Sequence, residues 1–263
     1  MLIELFAAQS PLFFLVFIRV FAFLSTVPLL SSTTISKLVR VVFAFMVAIV
    51  LFPSVNNYTI PDTGLLYVLL LLGEALLGII AGFFVTMLFS IFRLAGHYLS
   101  LPMGFSVSQV FDPIAQIEIP VVGQFLDLFA MLVFLTNKGL QQIFFAGVMG
   151  SFDAIRAVDI ATRYKDIIRF LLKGISNLFL YSVVMAFPFL AILFLVSVSL
   201  GLLAKTVPQM NLLILGFPIS ISVSFIILFF FMPALVGVFS AFISWTISSL
   251  AGFFQQVEVP ISK

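Results

Sequence analysis

HYLSLPMGFSVSQVFDPIAQIEIPV, residues 97–121, places Pro102, Pro113, Pro120, Gly104, Asp112 and Glu118 between two long apolar runs. Three prolines remove three backbone donors, so the stretch reads as a loop from about residue 101 to 121 and not as one continuous helix. At membrane depth, irregular backbone is tolerated only where water, protein or a cavity lining satisfies its polar groups. That requirement marks the loop as a working part, with Phe105 and Phe111 as rings able to close a pore.

The surroundings of this loop fix the class. Of 263 residues, 63% are hydrophobic, 35 are Phe and only 8% are charged, against about 25% charged in a soluble domain. The mean hydropathy is +1.33. Several apolar runs reach the ~20 residues that a helix needs to cross hydrocarbon, and the alternation of a barrel strand is missing. The chain therefore reads as an all-α polytopic membrane protein of kinked helical hairpins, in contact with membrane lipid. A net charge of +2 is too small and too dispersed for nucleic-acid binding. With no Cys, disulfides and thiolate chemistry are excluded.

Hydropathy predicts helical segments at about 9–30, 39–52, 65–92, 122–150, 174–203, 212–233 and 234–254. The second is too short to span alone and suits a half-helix or bent hairpin. Pro28, Pro188, Pro218 and Pro233 favour kinks or breaks. Between 151 and 173 the charges Arg156, Asp159, Arg163, Asp166, Arg169 and Lys173 recur at helical spacing, with Val158, Ala161, Ile168 and Leu172 opposite. That pattern predicts an amphipathic helix with a solvated face, as at a membrane surface or capping a bundle. With Lys165, its five cations argue for the cytoplasmic side, whereas Lys37, Arg40, Arg93 and Lys205 fall in or beside loops that simple alternation puts on the other side. Such a conflict is expected of hairpins packed within protein, or else of a miscounted span. No repeat or linker divides the chain, so one integrated domain over 1–263 is the simplest account.

Arg19, Glu74, Asp127 and Lys138 interrupt apolar segments, where an unpaired charge costs at least ~2.5–3.5 kcal/mol at the bilayer centre. They must face protein or water, either as structural pairs between helices or as steps of an ion path; pairing is the reading favoured here. Gly78 and Gly82 lie one turn apart, as in closely packed membrane helices. His97 is the only histidine, so a metal site built on a His pair and the HExxH motif are excluded. Ser100 or Ser106 with His97 lacks an oxyanion hole or nucleophile elbow. Walker and Rossmann glycine motifs are missing. The sequence thus predicts a non-enzyme without cofactor or metal.

The run AGHYLSLPMGFSVSQVFDPIAQIEIPVVGQFL, followed by GLLAKTVPQMNLLILGFPISI, with RVFAFLSTVPLL and GEALLGIIAGF upstream, resembles the FliR family of flagellar type III export-gate proteins over the whole chain. The resemblance implies a channel subunit of the bacterial inner membrane, seated in the flagellar basal body. Its implied partners are FliP-type and FliQ-type subunits in a helical pore assembly, an associated FlhB-type protein, and unfolded flagellar substrates. By position, Gly104, Phe105, Ser106, Phe111, Asp112, Pro113 and Pro120 would belong to a plug-like loop that obstructs the closed channel. Pro208, Gln209 and Asn211 would form a second interhelical break, or else an ordinary tight loop. Two competing readings remain at this level: a homologous injectisome subunit of virulence secretion, and an independent transporter of a small molecule or ion.

Overall fold

A computed structural model describes residues 2–31, 35–55, 64–104, 121–154, 157, 160–207 and 212–257. Among these residues the fold is helical throughout. The elements are α1 (Leu2–Thr26), α2 (Pro28–Ser31), α3 (Lys37–Leu51, ending in a 3-10 turn Phe52–Ser54), α4 (Gly64–Met103) and α5 (Val121–Thr136). They continue with α6 (Gly139–Ile143), a π-helical stretch Phe144–Met149, α7 (Gly150–Ala154), α8 (Ile160–Thr206) and α9 (Leu212–Val257).

Five helical segments among the described residues are long and apolar enough to cross a membrane. One is Lys37–Ser54, read from sequence as too short to span: the 3-10 turn after α3 lengthens it to 18 residues. Ser36 starts α3 by accepting the Val39 N–H on its hydroxyl at 3.3 Å, a cap that satisfies one orphan donor of the first turn. The segment read as 9–30 is divided at Val27. There Pro28 opens α2, the position in a helix where its missing N–H costs least.

The largest departures concern helix length. α4 does not stop near residue 92: it runs 40 residues to Met103 and carries Arg93 and His97 as helical positions. Pro102 is tolerated because it sits in the last turn, where a single backbone bond is lost. The segments read as 212–233 and 234–254 form one helix, α9, that passes through Pro218 and Pro233. Within hydrocarbon, a full break would expose several backbone groups where a proline frees one or two, so continuity is favoured. The segment read as 122–150 is instead interrupted by a turn at Asn137–Lys138, with Lys138 left-handed at φ 55°. The polar stretch is not one separate helix: residues 151–154 belong to α7 and residues 160–173 open α8. Nor does it bury the side predicted: Ile168 and Leu172 are exposed, whereas Ile167 is buried and Phe170 stacks between Phe84 at 4.4 Å and Phe253 at 4.1 Å. Those aromatic partners, invisible to periodicity, set the rotation of α8.

The residues group into two compact units. Unit 1 comprises Met1–Met87, Lys138–Gly174 and Ile243–Lys263. In its described part α3 packs on α1 through Phe13, Phe17, Phe45 and Phe52. Val16, Val20, Leu24, Ala44 and Val85 are among its buried residues. Unit 2 comprises Leu88–Asn137 and Ile175–Phe242. Phe92 and Phe239 sit at its centre, edge to face at 4.3 Å, with Phe89 against Phe134 at 5.2 Å.

Candidate functional site

Arg19 on α1 and Glu74 on α4 meet in the interior of unit 1, with side chains 1% and 0% exposed. The Arg19 Nε–H donates to Glu74 Oε2, and its Nη1–H donates to Ser151 Oγ at 3.1 Å. The Ser151 hydroxyl in turn donates to the Val148 carbonyl at 2.6 Å. The other Glu74 oxygen accepts the backbone N–H of Ala157 at 3.3 Å, and the guanidinium lies 4.2 Å from the Phe152 ring centroid. One buried ion pair thereby ties α1 and α4 to Ser151 and Ala157. A pair removed from water is tolerable only when its remaining donors and acceptors are met in this way.

Small residues allow this approach. A Cβ on Gly78 would lie 2.3 Å from the Arg19 carbonyl oxygen, and one on Gly82 would lie 2.7 Å from Thr26 Cβ. A Cβ on Gly73 would lie 2.7 Å from Ala157 Cβ. Gly78 and Gly82 therefore face α1 of the same chain, and Gly73 faces the segment that Glu74 holds. Thr86 extends the seam by donating to the Thr26 carbonyl at 2.9 Å.

In unit 2, α4 ends at Gly104, whose φ of +87° favours glycine and whose N–H donates to the Leu101 carbonyl at 3.0 Å. A Cβ there would lie 3.0 Å from Phe217 Cδ1. Next to this end is an apolar cavity of ≈ 130 Å³ lined by Met103, Val121, Val122, Phe125, Phe225 and Leu228, with Ser224 at its wall. Phe105, Ser106, Phe111, Asp112, Pro113 and Pro120 lie outside the described residues, as do Pro208, Gln209 and Asn211.

Asp127 on α5 accepts from Arg93 Nη2 at 3.0 Å, with the two side chains 31% and 40% exposed. Lys138 is exposed at the turn before α6. The four charges singled out in the sequence thus form no common cluster: one pair is dry, Asp127 has a different partner, and Lys138 stands at a surface turn. Ser151, Phe152 and Ala157 were missed because they fall in or beside a stretch that reads as solvated. Arg93 was missed as a partner because a charge at the end of an apolar run imitates a helix end.

The model of bacterial export proteins, family 1, matches residues 10–245. The chain is 32% identical over 95% of its length to the flagellar biosynthetic protein FliR of Bacillus subtilis, covering 96% of that protein. It is 30% identical to the FliR of Borreliella burgdorferi over 91% of the chain and 89% of the relative. To the Escherichia coli FliR it is 30% identical over 84% of each. The match takes in both members of each ion pair, the glycine seam and the end of α4, and on its extent the chain belongs to the bacterial export proteins, family 1.

Proposed function

We propose that this protein is a channel subunit of the flagellar type III export gate in the bacterial inner membrane, where it helps pass unfolded flagellar proteins and carries out no catalysis itself. The observation that carries this reading is α9. It runs 46 residues without one Asp, Glu, Lys, Arg or His, a rise of about 69 Å against a hydrocarbon layer of about 30 Å. Phe229 and Phe230 on it are 76% and 73% exposed. Neither a bilayer alone nor water suits so long an apolar surface, whereas neighbouring protein subunits do. FliP-type and FliQ-type subunits are the proposed neighbours, with an FlhB-type protein associated and the assembly placed in the flagellar basal body.

Within that assembly the loop from Gly104 to Val121 is proposed as the plug of the closed channel, on the strength of its three prolines and its resemblance. The left-handed Gly104 supports a sharp exit from α4. Shortening residues 105–119 is expected to leave the complex assembled and make membranes leak ions; unchanged conductance in an assembled complex would remove the loop from this role. The reading as a whole is tested by affinity purification of the tagged chain coexpressed with FliP-type and FliQ-type proteins of the same genome, followed by native mass spectrometry. A stable complex with one copy of this chain is expected. A lone monomer or homo-oligomer, with those partners folded and present, would overturn it in favour of an independent transporter.

A further inference from the structure

One side of α3 packs on α1, with Ala44 and Ala48 fully buried and Phe45 edge to face with Phe13 and Phe17. Its other side is bare from end to end. Leu38, Val42, Phe43, Met46, Ile49 and Val50 are exposed, Leu38 by 73% and Val50 by 74%. Residues 41–53 carry no polar side chain, and Lys37–Ser54 is the least buried of the five segments able to cross a membrane.

Length, side-chain size and charge together identify what covers this face. The 18 residues of Lys37–Ser54 rise about 27 Å, close to a hydrocarbon layer of about 30 Å, whereas α4, α8 and α9 run to 40, 47 and 46 residues. Helices that pack on one another within a membrane meet through small residues. The two alanines of α3 are the buried ones, and every exposed position between 38 and 50 is Leu, Val, Phe, Met or Ile. Such a surface suits flexible hydrocarbon chains better than a second helix. At one end of it Lys37 is exposed. Arg40 follows one turn on, held there by its Nε–H, which donates to the Leu30 carbonyl at 2.9 Å. No Asp or Glu occurs in residues 5–61, so the neighbouring sequence supplies no counter-charge. Cations at the end of a span lie at headgroup depth, where anionic lipids attract them. Two cations at the head of a bare apolar stripe of bilayer length match the two parts of one molecule. We propose that α3 binds an anionic phospholipid, with the phosphate held by Lys37 and Arg40 and an acyl chain lying along Leu38, Val42, Met46 and Ile49. Such a site needs only α3 and its seat on α1, and it does not depend on the export-gate reading.

The cysteine-free sequence lets Met46→Cys carry a single bimane fluorophore. The labelled chain, with any subunits that copurify, is reconstituted in phosphatidylcholine liposomes. Graded fractions of phosphatidylglycerol or phosphatidylcholine bearing a nitroxide on the acyl chain are included as contact quenchers, and the wild-type chain treated alike gives the background. Each cation near the surface favours an anionic headgroup about fivefold. Half-quenching is therefore expected at a fraction of the phosphatidylglycerol probe about 25-fold lower than that of the phosphatidylcholine probe. Adding Lys37→Gln and Arg40→Gln is expected to erase this difference and leave quenching by phosphatidylcholine unchanged. Salt at about 1 M, which screens exposed charges, is expected to shrink the difference with no substitution at all. Absence of quenching by either probe puts protein over α3 and overturns the proposal. Equal quenching by both probes in the chain that keeps Lys37 and Arg40 reduces the contact to bulk lipid and overturns it too. A preference that survives the double substitution, or is indifferent to salt, removes Lys37 and Arg40 from the site and has the same consequence.

Discussion

The two arginine–carboxylate pairs of this chain have the same chemistry and opposite surroundings. Arg19–Glu74 is 1% and 0% exposed and is completed by a hydroxyl, a backbone N–H and an aromatic face. Arg93–Asp127 is 40% and 31% exposed and leaves one carboxylate oxygen without a partner among the described residues. A closed pair is costly to disturb, because removing one partner strands the other charge; an open pair contributes little to stability, because solvent replaces what is lost. Stability therefore belongs to the first pair, and the second is free to serve a surface.

The largest expected effect follows from breaking the closed pair. Glu74→Ala leaves the Arg19 guanidinium buried and removes the acceptor of the Ala157 N–H, a loss of about 3–5 kcal/mol. Little folded complex is expected on coexpression and detergent extraction, judged by size-exclusion yield. The double variant Arg19→Met/Glu74→Leu is expected to recover much of that yield, since replacing both charges by apolar side chains of similar volume is often neutral. If the double variant fails as completely as the single one, the pair does more than hold helices together, and the contrast drawn above breaks.

Next in size is the glycine seam that brings α1 to α4. Gly78→Leu drives a side chain into the Arg19 carbonyl, 2.3 Å from where its Cβ must sit. Overpacking of this kind costs about 1–3 kcal/mol or more. The expected outcome is loss of complex yield and of thermal stability, with Gly82→Ala milder because it adds a single methyl, 2.7 Å from Thr26 Cβ and 2.9 Å from the Phe23 carbonyl oxygen. A normal yield for Gly78→Leu would show that α1 and α4 need not approach closely for the closed pair to form. Gly237 has nothing within 4 Å of an added Cβ. Gly237→Ala is therefore expected to raise the melting temperature of the isolated chain in detergent, gaining up to about 1 kcal/mol from helix propensity.

Composition was enough to read the helical class, and charges isolated in apolar runs were enough to single out Arg19, Glu74 and Asp127. Their partners were not legible. Glu74 lies 55 residues from Arg19 and Arg93 lies 34 from Asp127, and a single sequence carries no record of which distant groups meet. Helix ends were misread for a physical reason: hydropathy marks where a segment could leave hydrocarbon, and protein packing lets a helix continue past that point. Thus α4 runs eleven residues beyond Phe92, and α9 ignores two prolines. The direction of α8 was misjudged because Ile168 and Leu172 are as apolar as Ile167 and Phe170, and only the rings of Phe84 and Phe253 decide which pair turns inward.

The smallest effect gives the sharpest contrast. Asp127→Asn keeps the shape of the side chain and removes its charge, and at a pair open to solvent the expected loss is below about 1 kcal/mol. Complex yield and melting temperature should sit close to those of the wild type, whereas Glu74→Gln, an equally conservative change, should lower both because its buried arginine has no solvent to turn to. Melting curves of the two amide variants, measured in the same complex, decide the matter. If Asp127→Asn destabilises as much as Glu74→Gln, then the assembled gate buries Arg93 and Asp127 under another subunit. The pair would then belong to an interface, since only coverage by protein can turn a partly exposed pair into one that behaves as dry.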